Sequence, residues 1–460
     1  MIQRIVLVVY SAVMWCLQPL VRARLAKRAL AEPLYGQYVD ERFGYYTQPG
    51  LLRSAAAPLV WVHAVSLGET RAAALLIAKL RLMVPNMRLL LTHSTATGRA
   101  EGLALLQAGD HQAWLPWDTS GACQRFLAHF APQIGVLMET EVWPQMCAQA
   151  HAVGLPMALV NARLNGASLR KAQRLAWLAK PAYASLRVVL AQTEADAQRL
   201  RAAGAAVQQV VGNLKFDAPR DAALWSQGQA WRRALGRPVV MLAASRDGEE
   251  ALFLEQIWPK STVDSAQAAI ENIANSDELE TFAQSQKQTK KPLWLIVPRH
   301  PQRFDAVAQL LAGAGLQVAR RSAWANTPPA QALLADVWLG DSMGEMAQYY
   351  ALADVALLGG SFAPLGGQNL IEAIACCCPI IMGPHTFNFD EAARTAQEQG
   401  ASLRAADMQA GVVQALGLLI NPKQRAAMQS QGQAWLAESR GAAARTAQAI
   451  ADVLKPSAKN

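Results

Sequence analysis

Short apolar runs alternate along the chain with longer stretches in which apolar residues recur at helical spacing. The runs lie at 59–65, 87–92, 134–138, 157–160 and 188–191 in the first half, and at 238–244, 293–297, 317–320, 337–339, 355–358 and 380–382 in the second. Apolar runs that alternate with helices are typical of parallel strands covered on both faces. The pattern predicts an α/β protein with two Rossmann-like domains, whose ligands would bind beyond the carboxyl ends of the strands.

The length of 460 residues also favours two domains, because it exceeds what one core usually organises. We predict an N-terminal anchor with a basic flank over 1–28, a first domain over 29–218 and a second over 219–460. The second domain would include the Ala- and Gln-rich closing helices. The segment 260–291 has few large apolar residues, which indicates a surface insertion without chemistry.

The N-terminus carries one apolar stretch, 5–17, followed by Arg22, Arg24, Lys27 and Arg28. The stretch is shorter than the roughly 20 residues of a spanning helix. A cleaved signal peptide is one interpretation, but the basic residues follow the apolar run rather than precede it. They would hold the rest of the chain in the cytoplasm and attract anionic headgroups. We therefore expect an uncleaved anchor or a shallow membrane helix.

Composition and charge narrow the class of protein. Apolar residues make up 52% of the chain, far below a polytopic membrane protein, and the net charge is +9. Such a charge suits nucleic acid, anionic lipid or a phosphorylated substrate, and the absence of any nucleic-acid-binding motif argues against the first. The six cysteines have no metal spacing and the histidines form no cluster, so neither disulfides nor a metal are expected.

Polar residues follow the predicted strands of the first domain. Glu69, in the sequence WVHAVSLGET, either complements the start of a helix or acts as a general base. Glu139 and Glu141 follow the strand that ends at 138, either as solvated turn acids or as functional carboxylates. Lys215, in GNLKFD, either lies in the linker or presents a fixed positive charge to a cleft.

The second domain offers candidate phosphate ligands. Arg299 follows a strand and lies between two prolines, a rigid position that suits a phosphate. The stretch 359–372, GGSFAPLGGQNLIE, has two glycine pairs before a helix predicted to start near Gln368. Glycines allow close backbone approach, and a helix N-terminus offers free amides. Asn369 and Glu372 would share one helical face. The spacing is neither GxGxxG nor a P-loop, so NAD and ATP are not indicated.

Taken together, these loops identify a family. HAVSLGE, METEVWP, VNARL, GNLKFD, VPRHPQRF, DSMGE, GGSFAPLGGQN and GPHTFNF occur in an order that resembles the 3-deoxy-D-manno-octulosonic acid (Kdo) transferases of Gram-negative lipopolysaccharide synthesis. The resemblance runs from about 34 to about 389. Arg246, Asp247 and Gln368 stand where that pattern usually has other residues.

The resemblance implies a GT-B glycosyltransferase with its two Rossmann-like domains facing a central cleft and an N-terminal membrane-anchor helix. It would be an inverting and metal-independent enzyme without a cofactor. The donor would be CMP-Kdo and the acceptor a phosphorylated lipid A precursor, lipid IVA, at the cytoplasmic face of the inner membrane. A nucleotide-sugar epimerase of similar fold and a non-catalytic membrane-tethered glycan-binding protein are the alternatives.

The resemblance also implies residue roles. Glu69 would accept the proton, and Glu139 and Lys215 would stabilise the transition state. The residues implied to hold CMP are Pro298, Arg299, Met343, Gly344, Glu345, Asn369, Leu370, Ile371 and Glu372.

Overall fold

The computed structural model describes residues 2–48, 57–258 and 291–455. The chain forms two compact units: the first comprises Met1–Ala218 and Ser439–Asn460, and the second comprises Pro219–Glu438. Apart from Lys291, the predicted insertion at 260–291 lies outside the described residues.

The first unit is built on a parallel sheet of seven strands. In chain order these are β1 (Leu59–His63), β2 (Arg88–His93), β3 (His111–Trp114), β4 (Ile134–Met138), β5 (Met157–Ala162), β6 (Val188–Ala191) and β7 (Gln209–Val210). Across the sheet the order is β3-β2-β1-β4-β5-β6-β7, so the direction of winding reverses between β1 and β4. Open parallel sheets bind ligands at such a reversal.

Helices precede this sheet and cover both of its faces. They are α1 (Ile2–Cys16), α2 (Gln18–Ala29), α3 (Leu67–Met83), α4 (Ala96–Gly102), α5 (Ser120–Phe130), α6 (Pro144–Ala152), α7 (Gly166–Arg174), α8 (Ala176–Ala184) and α9 (Glu194–Ala203). Alternate residues of β1 enter two separate cores, Leu59 and Trp61 one of them and Val60 and Val62 the other. This alternation is the reason that the strands are apolar throughout.

The two N-terminal helices meet at a bend of 44°. Helix α1 lies against the first unit, where the Tyr10 hydroxyl donates to Asp118 Oδ2 over 2.9 Å and Gln145 Nε2 donates to the Leu7 carbonyl over 2.6 Å. Within the described residues, no single helix has the length and apolar composition to cross a membrane; the bent pair of α1 and α2 meets that test together.

The second unit contains another parallel sheet of seven strands. They are β8 (Val239–Ser245), β9 (Leu293–Pro298), β10 (Val318–Arg320), β11 (Val337–Leu339), β12 (Val355–Leu358), β13 (Ile380–Met382) and β14 (Ser402–Arg404). The order is β10-β11-β9-β8-β12-β13-β14, with its reversal between β8 and β12. The two sheets confirm the predicted α/β class with two Rossmann-like domains.

The remaining helices come after the first sheet in the chain, and the first of them precedes β8. They are α10 (Ala222–Leu235), α11 (Glu249–Ile257), α12 (Phe304–Gly313), α13 (Ala330–Leu334), α14 (Met346–Leu352), α15 (Leu370–Ala375), α16 (Asp390–Glu398), α17 (Met408–Ile420), α18 (Pro422–Ser439) and α19 (Ala442–Leu454).

Helix α19 belongs to the first unit, although the sequence placed both closing helices in the second domain. Its buried face, with Ala443, Ala447 and Ile450, joins the core that Val60 and Val62 also enter. Helical periodicity identifies a buried face but not the sheet that covers it, which is the reason that the sequence assigned this helix to the nearer domain.

Candidate active site

Glu69 lies in the first turn of α3, just beyond the carboxyl end of β1. The hydroxyl of Ser66 accepts a hydrogen bond from the Glu69 amide over 3.4 Å and donates one to Glu69 Oε1 over 3.1 Å. The Val65 amide donates to the other carboxylate oxygen, Oε2, over 2.9 Å. This arrangement is close to a capping box, except that the carboxylate reaches the amide of Val65 rather than that of the N-cap residue Ser66. The sequence SLGE thus fixes the carboxylate as well as the start of the helix.

The surroundings of Glu69 raise the pKa of its carboxyl group well above the usual value for a glutamate. Burial is the largest cause, and the negative charges of Glu139 and Glu141 act in the same direction; the hydrogen bonds from Val65 and Ser66 oppose them, and the pKa rises to about 7. A carboxylate with a pKa near 7 suits a general base at neutral pH. The two interpretations of Glu69 are therefore compatible, because the same contacts that cap the helix would position a general base.

Glu139 follows β4, which is hydrogen-bonded to β1, and its φ of 56° lies in the left-handed region. That conformation is uncommon for a residue other than glycine, and strained backbone is often retained at functional sites. Its side chain is 4% exposed and meets two cations: Arg163 Nε donates to Oε2 over 2.6 Å, and Lys215 Nζ lies 3.5 Å from Oε1. This group of one carboxylate and two cations carries a net positive charge.

Asn161 anchors the turn that carries Lys215. It lies near the end of β5 with a φ of 50°, and its Oδ1 accepts a hydrogen bond from the Leu214 amide over 3.0 Å. The Lys215 amide in turn donates to Asn213 Oδ1 over 3.0 Å. The amide side chains of the VNARL and GNLKFD motifs thus place Lys215 beside Glu139.

Glu141 has a different setting from Glu139. Trp143 Nε1 donates to Glu141 Oε2 over 2.9 Å, and burial raises the Glu141 pKa. His63 Nε2 lies 3.9 Å from the same oxygen, but burial first and then the charge of His93 lower the His63 pKa to about 3. Because the imidazole is neutral at neutral pH, this contact is not an ion pair. Glu139 lies within ion-pair distance of Lys215.

In the second unit, Pro298 and Arg299 lie at the end of β9. Pro298 is buried, and the Arg299 amide donates to the Ser245 carbonyl over 2.9 Å, which fixes the backbone from which the partly exposed guanidinium projects.

Met343, Gly344 and Glu345 form the turn before α14. Met343 is 60% exposed, and Gly344 has a φ of 82° that favours glycine. The Glu345 carboxylate already accepts hydrogen bonds from Arg321 Nη2 over 2.7 Å and from the Ser342 hydroxyl over 2.5 Å. Its carboxylate therefore orders the turn, while the backbone of Met343 and Gly344 is left to contact a ligand.

The helix predicted to start near Gln368 begins at Leu370 and ends at Ala375. Asn369 Oδ1 accepts a hydrogen bond from the Ile371 amide over 3.2 Å, as N-cap residues do. The side chains of Leu370 and Ile371 are buried, so they can meet a ligand only through their backbone. Glu372 is exposed on this short helix.

The first glycine pair of the stretch 359–372 has a role that the sequence did not predict. The Glu249 carboxylate is fully buried, and its Oε2 accepts hydrogen bonds from the Gly360 amide over 2.7 Å and the Arg246 amide over 2.8 Å. Its Oε1 accepts hydrogen bonds from the Phe362 and Ala363 amides, each over 3.1 Å. The expected phosphate cradle in this part of the loop is therefore occupied by a carboxylate of the chain itself.

Two residues of the site were missed by the sequence predictions. Arg163 was given no role from the sequence, although its position in VNARL just after a strand was the available signal. Glu249 gave no signal, because three of its four partner amides lie more than 100 residues further along the chain. Across the parts of the chain that the structure describes, no three His, Cys, Asp or Glu side chains group in a way that could hold a metal ion.

The sequence of this chain is similar to those of known transferases. A family model described as 3-deoxy-D-manno-octulosonic-acid transferase (kdotransferase) matches residues 37–218. The 3-deoxy-D-manno-octulosonic acid transferase of Bordetella pertussis is 47% identical over 454 residues, which are 97% of this chain and 99% of that protein.

Two solved structures share the fold at low sequence identity. A glycosyltransferase from Rickettsia africae ESF-5 is 10% identical with a TM-score of 0.54, and the match covers 87% of this chain and 100% of that one. A UDP-GlcNAc 2-epimerase from Neisseria meningitidis, bound to UDP-GlcNAc, is 14% identical with a TM-score of 0.50, and the match covers 86% and 99%. Because both activities occur on this fold, the fold alone does not separate a transferase from an epimerase.

Proposed function

From the membership of this chain in the Kdo transferase family, we propose that it transfers Kdo from CMP-Kdo to the phosphorylated lipid A precursor lipid IVA in lipopolysaccharide biosynthesis. Members of this family are glycosyltransferases, and the chain is therefore a glycosyltransferase. The two Rossmann-like units of the chain are those of the GT-B fold. The family distinguishes it from the epimerase alternative, since the 47% identity extends over nearly the whole of both chains.

The observation that carries the mechanism is the convergence of Glu69 and Glu139 at the reversal of the first sheet. Glu69 follows β1 and Glu139 follows the neighbouring β4. Glu69, with a pKa of about 7, would remove the proton from the acceptor hydroxyl as that oxygen attacks the anomeric carbon. A single displacement of this kind inverts the anomeric configuration.

Glu139 and Lys215 would act on the charges that develop during transfer. The departing CMP gains negative charge on its phosphate, and the sugar becomes oxocarbenium-like. Lys215 and Arg163, both held by Glu139, supply positive charge for the phosphate or for the carboxylate of Kdo. A protein base and two fixed cations suffice for this step, so we propose that it needs neither a metal nor a cofactor.

The CMP group of the donor would be bound by the second unit. Arg299 offers a guanidinium to the phosphate, and the turn at Met343 and Gly344 offers backbone groups. Asn369 to Glu372 would contribute the remaining polar groups, with Leu370 and Ile371 acting through their backbone. The donor is thus held away from the loop amides that Glu249 occupies.

The acceptor is a lipid, which accounts for the N-terminal helices. Helix α1 exposes apolar side chains such as Val8 and Val13, and α2 ends with Lys27 and Arg28. We propose that the helices lie in the cytoplasmic face of the inner membrane, and that the basic side chains meet anionic headgroups.

The test is transfer by the purified full-length chain, with CMP-Kdo and lipid IVA as substrates and EDTA present. We expect CMP release matched by a mass increase of one or more Kdo residues, with the anomeric configuration opposite to that of the donor. An epimerase would instead interconvert a nucleotide sugar without an acceptor, and a binding protein would release no CMP. Either result, or retention of configuration, would refute the proposal.

The matched variant is Glu69→Ala, which removes the proposed base. It should abolish transfer and leave CMP binding to the second unit nearly unchanged, as measured by calorimetry. Substantial residual turnover would exclude Glu69 as the base.

A further inference from the structure

Helix α1 is fixed to the first unit along one face. The Tyr10 hydroxyl donates to Asp118 Oδ2, the Ser120 amide donates to Ser11 Oγ over 2.9 Å, and Trp117 Nε1 donates to the Met14 carbonyl over 2.9 Å. Asp118 is only 2% exposed. Withdrawal of α1 would leave that buried carboxylate without one of its hydrogen bonds. The opposite face of α1 therefore has a fixed orientation on the domain.

That opposite face is apolar and exposed. Ile5, Val8, Val9 and Val13 recur at helical spacing and are each more than half exposed. Trp15 is 66% exposed at the end of the same helix. Soluble proteins rarely expose a continuous apolar strip of this kind without a partner.

A second helical element lies beside α1. Helix α8 contacts α1, and both helices, together with α6, line a groove of about 670 Å³ to which Leu7 and Trp177 contribute. At the junction of α7 and α8, Leu175 is 39% exposed and Trp177 is 54% exposed. We call α7 and α8 together the α7–α8 hairpin; it adds exposed apolar side chains beside α1.

The charged side chains of α1, α2 and the α7–α8 hairpin are all basic. Helices α1 and α2 carry five basic side chains, and the hairpin carries four: Arg170, Lys171, Arg174 and Lys180. None of the four helices contains an acidic residue. In α7 the apolar Leu169 and Ala172 pack against the core, whereas its three basic side chains are exposed.

We propose that the α7–α8 hairpin is a second membrane contact of this enzyme, with Leu175 and Trp177 inserted among the lipids and its basic side chains at anionic headgroups. The inference rests on the membrane location proposed for α1 and α2. Tryptophan favours the interface between headgroups and acyl chains, and lysine and arginine can reach the headgroups from an apolar flank. A second copy of the chain is a poorer occupant, because it would bring two positive surfaces together.

Two helical elements side by side would fix the orientation of the first unit on the membrane. A single amphipathic helix can roll about its own axis, whereas two contacts on different elements restrain that motion. The acceptor lipid would then reach the Glu69 edge of the sheet from a constant direction.

The test compares vesicle binding of the full-length chain and its variants by flotation, with phosphatidylcholine vesicles that contain or lack phosphatidylglycerol. One variant carries Leu175→Ser and Trp177→Ser, and another carries Arg170→Gln, Lys171→Gln and Arg174→Gln. The matched control is Leu82→Ser, which changes a 76% exposed leucine of α3. A fourth variant, Val8→Ser with Val13→Ser, reports on α1 itself.

We expect the apolar hairpin variant to lose about tenfold in partition into both kinds of vesicle. The basic variant should lose at least about tenfold for anionic vesicles only. The control should bind as the unchanged chain does. Transfer to lipid IVA dispersed in detergent should stay near its normal rate in all of them, which shows that they fold.

Other outcomes separate the two proposals. Unchanged binding of both hairpin variants, with loss in the α1 variant, would overturn the second contact and leave the membrane location standing. If the unchanged chain does not bind vesicles, the proposed location itself fails. A shift of oligomeric state in the hairpin variants, without a change in vesicle binding, would assign the surface to a second copy and overturn the inference.

Discussion

At the scale of single residues, the site depends on carboxylates in contrasting surroundings. Glu69 is partly buried without a cation, whereas Glu139 is bound by Arg163 and Lys215. Environments that differ in this way assign different roles to chemically similar groups. Glu69 can exchange a proton near neutral pH, and Glu139 instead holds two cations in place.

The raised pKa of Glu69 predicts the pH dependence of transfer. The carboxylate accepts a proton only when ionised, so kcat/KM should fall about tenfold per pH unit below about 7. An unperturbed glutamate would keep its activity to about pH 4.3. Glu141→Gln removes a negative charge that raises this pKa, so the acidic limb should move to lower pH. A limb that stays in place in Glu141→Gln would contradict the assignment.

The contact of Arg163 with Glu139 predicts a contribution of Arg163 to catalysis. Arg163→Met removes one of the two cations and should lower kcat by about tenfold or more, because less positive charge faces the developing anion. Arg163→Lys should restore part of the rate. Arg187→Met, at an exposed arginine of the same unit, serves as the control. Steady-state kinetics that give equal kcat values for Arg163→Met and the control would exclude the contribution.

The sequence predicted the placement of Glu69 and Glu139 at one sheet edge for a physical reason, whereas the role of Lys215 was implied by the family resemblance. Carboxyl ends of parallel strands meet at one edge, and Glu69 and Glu139 directly follow such ends. The ion pairs of Glu139 were not predictable, since they depend on how the VNARL and GNLKFD turns fold back toward β4.

At the scale of elements, the position of a strand within its sheet explains whether the apolar pattern of the sequence predicted it. Each predicted run overlaps an observed strand, and the strands without a predicted run are β3, β7 and β14. Each of these lies at the edge of its sheet. An edge strand needs fewer apolar residues than a central one, so β3 starts with His111 and Gln112, and β7 is exposed.

The carboxylate of Glu249 predicts the stability of the loop between β12 and α15. Glu249→Gln would turn an NH₂ group toward backbone N–H donors in a fully buried site, so we expect a loss of about 3 kcal/mol in the free energy of unfolding of the second unit. Hydrogen exchange at the amides of Gly360, Phe362 and Ala363 should speed up accordingly. Glu255→Gln, on the exposed face of the same helix, should change neither quantity. Unchanged protection in Glu249→Gln would show that the loop does not depend on this carboxylate.

At the scale of the whole molecule, the chain leaves the first unit after Ala218 and returns to it at Ser439. The return places α19 against the turn that carries Lys215. Asp217 Oδ1 accepts a hydrogen bond from the Gly441 amide and its Oδ2 one from the Ala443 amide, each over 2.5 Å. The last helix of the chain therefore supports the GNLKFD turn, which periodicity alone did not predict.

This support predicts different effects for substitutions of two aspartates, Asp217 and Asp221, that are four residues apart. Asp217→Ala removes the acceptor for the first amides of α19. Asp221 is the N-cap of α10, and its Oδ1 accepts hydrogen bonds from the Ala223 and Leu224 amides, so Asp221→Ala removes that cap. Each loss should cost about 1 kcal/mol. Hydrogen exchange followed by mass spectrometry should accelerate in α19 for the first variant and in α10 for the second.

Only the first of these variants should also lower the rate of transfer, because α19 braces the turn of Lys215 and α10 belongs to the other unit. Its effect should appear in kcat rather than in the affinity for CMP, which the second unit is proposed to bind. If Asp221→Ala slows kcat as much as Asp217→Ala, then the return of the chain does not act through Lys215. The rate of transfer therefore tests whether the last helix contributes to the site that begins with Glu69.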